Sequence, residues 1–320
     1  MIDWPIGIAA LLVLLLGGMP IAFALTIVGL VGTASIIGLK PSLSLLGPTF
    51  FDNGRSYALT VMPLFLLMGN FVVQSGIARD LYQSAHAWLR HRRGGLALAT
   101  VVACGGFSSV CGSSMATAAT MSKIALPSMR RFGYPDSLAT ASIAAGGTLG
   151  ILIPPSVILV FYGIMTQQNI GKLFMAGIIP GLIGIFGYAI AVMISVRLSG
   201  DNLPSEGKLP LIERFRALKG TAGAILLFIF VMGGIYLGVF TPTESAGMGA
   251  FGAFLLTLFS GKFSWSDFGD IVYSTVKTTA MMFFILFGAL LSLIHISEPT
   301  RQAEISYAVF CLAACWKGFR

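Results

Sequence analysis

Residues 94–126 read GGLALATVVACGGFSSVCGSSMATAATMSKIAL. The flanks of this stretch are apolar and small, but its centre, 105–114, holds four serines and three glycines. That composition makes a poor continuous helix. Arg90, Arg92 and Arg93 precede the stretch, Lys123 lies near its end, and Arg130 and Arg131 follow it. Basic clusters collect on one side of a membrane. A segment with such clusters at both ends therefore enters and leaves on the same face, which predicts a re-entrant hairpin over 94–126. Non-helical backbone at membrane depth is tolerated only where it is buried in protein or lines a cavity. The alternative is two ordinary spans that share a small-residue packing face.

The rest of the chain supports a membrane setting. Hydrophobic residues make up 56% of the 320 residues and charged residues 10%, whereas a soluble domain carries about 25% charged residues. The formal charge of +8 sits in short clusters between apolar runs, as the positive-inside pattern expects. No basic stripe with interleaved aromatics points to nucleic acid. The first span lacks the basic n-region of a cleavable signal and is expected to remain as an anchor. The cysteines show neither metal-ligand spacing nor a disulfide framework.

Outward from the hairpin, spans are expected at 5–16 and 20–37, divided by Gly17-Gly18-Met19-Pro20. A loop with turn signals follows at 40–55, then a span at 57–73 and an amphipathic interfacial segment at 77–93. After the hairpin, 137–165 is an apolar run interrupted by Gly146-Gly147-Thr148-Leu149-Gly150-Ile151-Leu152-Ile153-Pro154-Pro155-Ser156. Glycines followed by two prolines inside one span predict a broken helix whose freed carbonyls need partners. Further spans are expected at 173–196, 222–240, 246–259 and 271–290. Thr243 is a plausible cap at the start of the 246–259 helix, beside Glu244. The most polar stretch, 198–219, reads as a cytoplasmic connector. Residues 291–312 read LSLIHISEPTRQAEISYAVFCL and are similar to the conceptual translation of a transposase-type sequencing adapter. Residues 291–320 are therefore expected to be a non-native tail on a C-terminally truncated chain, and His295, Cys311 and Cys315 receive no functional weight.

Several motifs resemble one family in order along the chain: Gly18-Met19-Pro20-Ile21-Ala22-Phe23-Ala24-Leu25; Met62-Pro63-Leu64-Phe65-Leu66-Leu67-Met68-Gly69; Gly112-Ser113-Ser114-Met115-Ala116-Thr117-Ala118-Ala119; Gly150-Ile151-Leu152-Ile153-Pro154-Pro155-Ser156; Leu173-Phe174-Met175-Ala176-Gly177-Ile178-Ile179-Pro180-Gly181; and Gly234-Ile235-Tyr236-Leu237-Gly238-Val239-Phe240-Thr241-Pro242-Thr243-Glu244. Together they resemble the large membrane subunit of tripartite ATP-independent periplasmic (TRAP) transporters. The resemblance implies an all-α polytopic membrane protein, an elevator-type carrier built from inverted repeats with re-entrant hairpins and broken helices. On that plan 1–197 is the first repeat and 220–290 the start of the second. It also implies a multi-pass protein of the bacterial inner membrane that imports small organic anions. Its partners would be a small TRAP membrane subunit and a periplasmic substrate-binding protein.

The resemblance selects the two motifs that carry the site. Na⁺ takes neutral oxygen ligands from hydroxyls and unwound carbonyls. The candidates are Ser108, Ser109, Ser113 and Ser114 from the hairpin, and Gly147, Thr148, Gly150 and Ile153 from the broken helix. Thr117, Pro154, Pro155 and Ser156 are the substrate-side candidates, where helix N-termini favour a carboxylate. Acidic residues fall near span ends, which argues against a proton relay and for Na⁺ as coupling ion. No cofactor and no enzymatic nucleophile constellation are expected. The competing readings are a related ion-coupled carrier that needs no binding protein, and a truncated, non-functional membrane fragment.

Overall fold

The computed structural model describes residues 4–198, 207–261 and 263–296, all as helices and their connections, with no strand among the described residues. The chain divides into two compact units, 57–276 and a smaller one of 1–56 with 277–320. The expected tail lies outside the described residues beyond Ile296, as do residues 199–206 of the expected connector.

In the smaller unit, α1 (Trp4–Leu16) and α2 (Ile21–Ile37) are separate helices rather than one bent span. Gly18 takes a left-handed φ of 81° between them, a conformation open to glycine at little cost. Ile6, Ala10, Val13, Ile27 and Val31 line an apolar cleft of about 270 Å³ between the two helices. The expected loop at 40–55 is instead a helix, α3 (Leu39–Gly54). Two facts reconcile the prolines with it. Pro41 lies in the first turn, where no amide partner is required. Pro48 lies inside the helix, where it removes the hydrogen bond to the Ser44 carbonyl and crowds that carbonyl, and the helix continues past it. The Asp52-Asn53-Gly54 turn signal marks the helix C-terminus rather than a loop.

In the larger unit, α4 (Val61–Ser75) buries Val61, Met62, Phe65, Met68 and Val72. It packs along α13 (Pro242–Phe259), where a Cβ on Gly249 would come within 2.6 Å of the Met68 sulfur. The Thr257 hydroxyl donates to the Phe71 carbonyl at 2.9 Å. After Gly76, α5 (Ile77–Leu89) lies beside α6 (Gly95–Cys111), and α7 (Ser114–Arg131) returns antiparallel to α6. Then follow α8 (Asp136–Leu152), α9 (Val157–Met165), α10 (Ile170–Leu198), α11 (Leu211–Leu218) and α12 (Ala222–Tyr236). The last helix, α14 (Trp265–Ile296), contributes 265–276 to this unit and its remainder to the smaller one.

The apolar surface of this unit fits hydrocarbon. On α10, Met175, Ile179, Ile183, Phe186, Ile190 and Ile194 are each more than half exposed. Their spacing of three and four residues makes one continuous apolar face along the helix. Four helical segments among the described residues are long and apolar enough to cross a bilayer, and α8 with α9 makes a fifth bent by 40°.

The start of α13 corrects the expected cap. Thr241, not Thr243, is the N-cap: its hydroxyl accepts the Glu244 amide at 3.3 Å, and the Glu244 carboxylate accepts the Thr241 amide at 2.8 Å. Pro242 occupies the first helical position, which its fixed φ favours. This reciprocal pair satisfies two orphan donors, and Thr243 is buried instead. Thr241→Ala is expected to destabilise the protein by about 1 kcal/mol, read as a lower Tm in detergent; an unchanged Tm would show that the cap carries no weight.

Candidate functional site

The stretch folds as two antiparallel helices joined at a tight tip, and the break between them is narrower than the composition suggests. Helix α6 runs unbroken through Gly105, Gly106, Ser108 and Ser109, and only Gly112 and Ser113 are non-helical before α7 begins. Gly112 has a φ of 65°. Ser113 is extended and caps α7, accepting the Ala116 amide at 3.4 Å. The two arms are joined lower down by the buried hydroxyls of Ser108 and Thr117, 3.4 Å apart. The Ser109 hydroxyl donates to the Gly106 carbonyl of its own helix at 2.7 Å.

The glycines of α8 do not unwind it. The helix continues through Gly146, Gly147 and Gly150 to Leu152, and these residues form a packing surface for the hairpin. A Cβ on Gly146 would stand 2.7 Å from the Cys104 sulfur of α6; one on Gly147 would stand 2.9 Å from the Ala118 Cβ of α7. Adjacent positions on a helix point about 100° apart, so the pair faces both arms of the hairpin at once. Gly150, one turn on, meets the tip itself: its Cβ would lie 2.8 Å from the Ser114 amide nitrogen and 2.9 Å from the Ser113 carbonyl carbon. Small residues at such contacts let helices approach closely in lipid.

The real break is Ile153–Ser156, with a cis Pro154–Pro155 bond. In a continuous helix the carbonyls of Gly150 and Ile151 would accept from residues 154 and 155. Both are prolines and carry no N–H, so both acceptors are released at the break. The Ile153 side chain packs against Gly181 of α10, where a Cβ would stand 2.8 Å from Ile153 Cγ1. A backbone hydrogen bond of 3.3 Å from Val157 to the Gly112 carbonyl ties the start of α9 to the hairpin tip. A Cβ on Gly112 would come within 2.5 Å of the Pro155 oxygen.

One place thus gathers four helix ends: the C-termini of α6 and α8 and the N-termini of α7 and α9. Unpaired carbonyls and amides of both kinds are supplied together, so cations and anions both find complementary dipoles. Ser113 and Ser114 are half-buried there. Ser156 is fully buried, and its hydroxyl has no hydrogen-bond partner among the described residues.

The structure therefore brings together Ser113, Ser114, Gly147, Gly150, Pro155 and Ser156, with Ile153 and Pro154 in the same break. Ser108 and Thr117 lie in the arms behind the tip. Thr148 is turned away: it is exposed, donates to the Ala145 carbonyl at 2.7 Å and pairs with the Tyr188 hydroxyl of α10 at 2.9 Å. Gly112 and Gly146 were not singled out from the sequence as site residues, although both lie inside the motifs that were.

A family model, the tripartite ATP-independent periplasmic transporter DctM component, matches residues 8–319. The chain belongs to this family. It is 38% identical over 265 residues to the C4-dicarboxylate TRAP transporter large permease protein DctM of Pseudomonas aeruginosa, covering 82% of this chain and 62% of that protein. It is 33% identical over 322 residues to the protein of the same description from Rhodobacter capsulatus, covering 96% and 72%. To the sialic acid TRAP transporter large permease protein SiaM of Vibrio cholerae it is 31% identical over 277 residues, covering 86% and 64%. The chain thus spans about two thirds of the length of the curated relatives it matches. As a member of this family, with only helices among the described residues, it is an all-α, polytopic membrane protein.

The packing of the tip makes a direct prediction. Gly150→Val would drive two methyl groups into the Ser113–Ser114 backbone, which has no side-chain end to yield. A loss of about 1–3 kcal/mol is expected, measured as a Tm decrease; Gly187→Val, where nothing lies within 4 Å of the Cβ position, should leave Tm unchanged. Equal effects at the two positions would mean that the close contact at Gly150 is not real.

Proposed function

We propose that this chain is the transporting subunit of a Na⁺-coupled carrier that imports a small organic anion across the bacterial inner membrane. A small TRAP membrane subunit and a periplasmic substrate-binding protein complete the system. The supporting observation is the meeting of the hairpin tip with the broken helix. In this reading Na⁺ is held by oxygens: the released carbonyls of Gly150 and the 153 region, with the hydroxyls of Ser113 and Ser114. Ser109 and Thr148 are left out of this ligand set because neither stands at the tip: Ser109 lies within the α6 helix and Thr148 is turned to Tyr188 of α10. The free amides at the starts of α7 and α9 take the substrate carboxylate, and the Ser156 hydroxyl serves the bound ion or carboxylate.

The names of relatives support an organic-anion substrate. Two, at 38% and 33% identity, specify C4-dicarboxylates, one at 32% specifies isethionate and one at 31% specifies sialic acid. We place a C4-dicarboxylate first. Inverted repeats moving as an elevator would carry the site across the bilayer, with 1–197 as the first repeat.

The test is uptake of radiolabelled succinate into proteoliposomes holding the intact transporter, with and without Na⁺ and with and without the binding protein. Ser113→Leu with Ser114→Leu is expected to abolish Na⁺-dependent uptake while the protein remains folded; retained uptake would overturn the assigned site. Uptake that needs no binding protein would instead favour the simpler ion-coupled carrier. Ser156→Ala separates ligand binding from folding. The hydroxyl has no partner among the described residues, so its removal should leave Tm unchanged or slightly raised. The KM for Na⁺ or succinate should rise severalfold, and unchanged values for both would remove Ser156 from the site.

A further inference from the structure

The short helix α11 presents three different sides. Its first side is covered by α5. The Ser84 hydroxyl donates to the Ala217 carbonyl at 2.6 Å, the Arg214 guanidinium lies 5.8 Å from the Trp88 ring centre, and a Cβ on Gly220 would stand 3.2 Å from Asp80. Partners that step 80, 84, 88 on α5 against 220, 217, 214 beyond show the two helices running antiparallel.

The second side is apolar and largely open. Leu211, Ile212 and Phe215 are 65%, 74% and 61% exposed, with Phe215 also edge-on to the Trp88 ring of α5 at 5.7 Å. At 100° per residue they span one arc of the helix. The third side is polar, with Glu213 and Arg216, both exposed. Over 207–222 the cations Lys208, Arg214, Arg216 and Lys219 stand against the single carboxylate of Glu213. The chain then passes through the single 3-10 turn Lys219–Thr221 into the apolar helix α12, and 211–236 together is long and apolar enough to cross a bilayer, so α11 forms the cation-edged beginning of that apolar run.

We propose that α11 is a membrane-surface anchor: it lies in the bilayer interface with Leu211, Ile212 and Phe215 at the acyl boundary, and Lys208, Arg216 and Lys219 on anionic lipid headgroups. The occupant is argued from three features together: the open apolar arc, the excess of cations bordering it, and continuity with a membrane-crossing helix. A helix with an apolar face and basic flanks binds by burial plus attraction to anionic lipid. A protein partner would leave the excess of cations unexplained. Through α5, this anchor also holds the segment that leads into the hairpin. The inference concerns a face separate from the hairpin tip and stands whether or not the transport reading does.

The test places nitroxide labels on Ile212→Cys, Glu213→Cys and Phe215→Cys, with Cys311 and Cys315 changed to Ser, in the protein reconstituted in phosphatidylcholine with roughly 30% phosphatidylglycerol. Labels at 212 and 215 are expected to be accessible to oxygen and shielded from a water-soluble nickel reagent, with the opposite result at 213. Equal nickel accessibility at all three would overturn the proposal. In the second arm, K208Q/R216Q/K219Q should lower the preference for spin-labelled phosphatidylglycerol over phosphatidylcholine by about fivefold. An unchanged preference would also overturn it, leaving a partner protein as the occupant of the apolar arc.

Discussion

The structure depends on how closely the hairpin tip can approach the broken helix. Gly112, Gly147 and Gly150 each place backbone where a Cβ would fall within 3 Å of a neighbour. No rearrangement of side chains relieves such a contact when the opposing atoms are themselves backbone, as at Gly112 with the Pro155 oxygen and at Gly150 with Ser113 and Ser114. In lipid this closeness matters more than in water. Helices there gain nothing from burying hydrocarbon against hydrocarbon, so association rests on dispersion contact and on hydrogen bonds between backbones. The Val157–Gly112 bond is available only because the glycine surfaces let the two elements meet.

That approach also makes the chemistry possible. A break in a membrane helix leaves unpaired acceptors, each worth about 1–3 kcal/mol if nothing satisfies it. Pro154 and Pro155 make two such acceptors unavoidable, and they do so beside the amides that begin α7 and α9. The arrangement is unsatisfied among the described residues, as the solitary Ser156 hydroxyl shows. On the proposed function, an ion and a carboxylate are the groups that would complete it. Polar atoms are gathered without a single formal charge at the tip, which explains how the site tolerates membrane depth when a lone carboxylate there would cost several kcal/mol.

The elements were legible where one physical rule acted alone. The glycine and serines at 112–114 mark the turn between α6 and α7, and the double proline marks the break. Where two rules compete, the outcome depends on tertiary contact. The Gly-rich runs at 105–106 and 146–147 are weak helix formers and suggest unwinding; packing against Ile185 and Cys104 keeps both helical. The same glycines therefore serve the close approach, and the break retreats to the prolines. Thr148 has the right chemistry for a ligand, but helical phase turns it to Tyr188. Register in an unbroken helix could not be assigned while the helix was thought broken. Gly47-Pro48 misled in the opposite direction, because the helix continues past the proline despite the lost hydrogen bond. At Thr241 and Thr243 both residues could cap; the preference of proline for the first helical position decides between them.

The apolar surfaces of α10 and α11 show why exposure has to be interpreted together with charge. The face of α10 is apolar along most of its length and carries no ionised group between Lys172 and Arg197; it fits hydrocarbon and needs no partner. The arc on α11 is nearly as open, with Phe215 edge-on to Trp88, but it is only two turns long and edged by cations, and it leads without a gap through Lys219–Thr221 into α12. Two sides of the helix need a covering surface. One is α5, visible in the Ser84 and Arg214 contacts. The other has to be apolar beneath and anionic at the rim, and the interface that α12 enters one turn later has both properties.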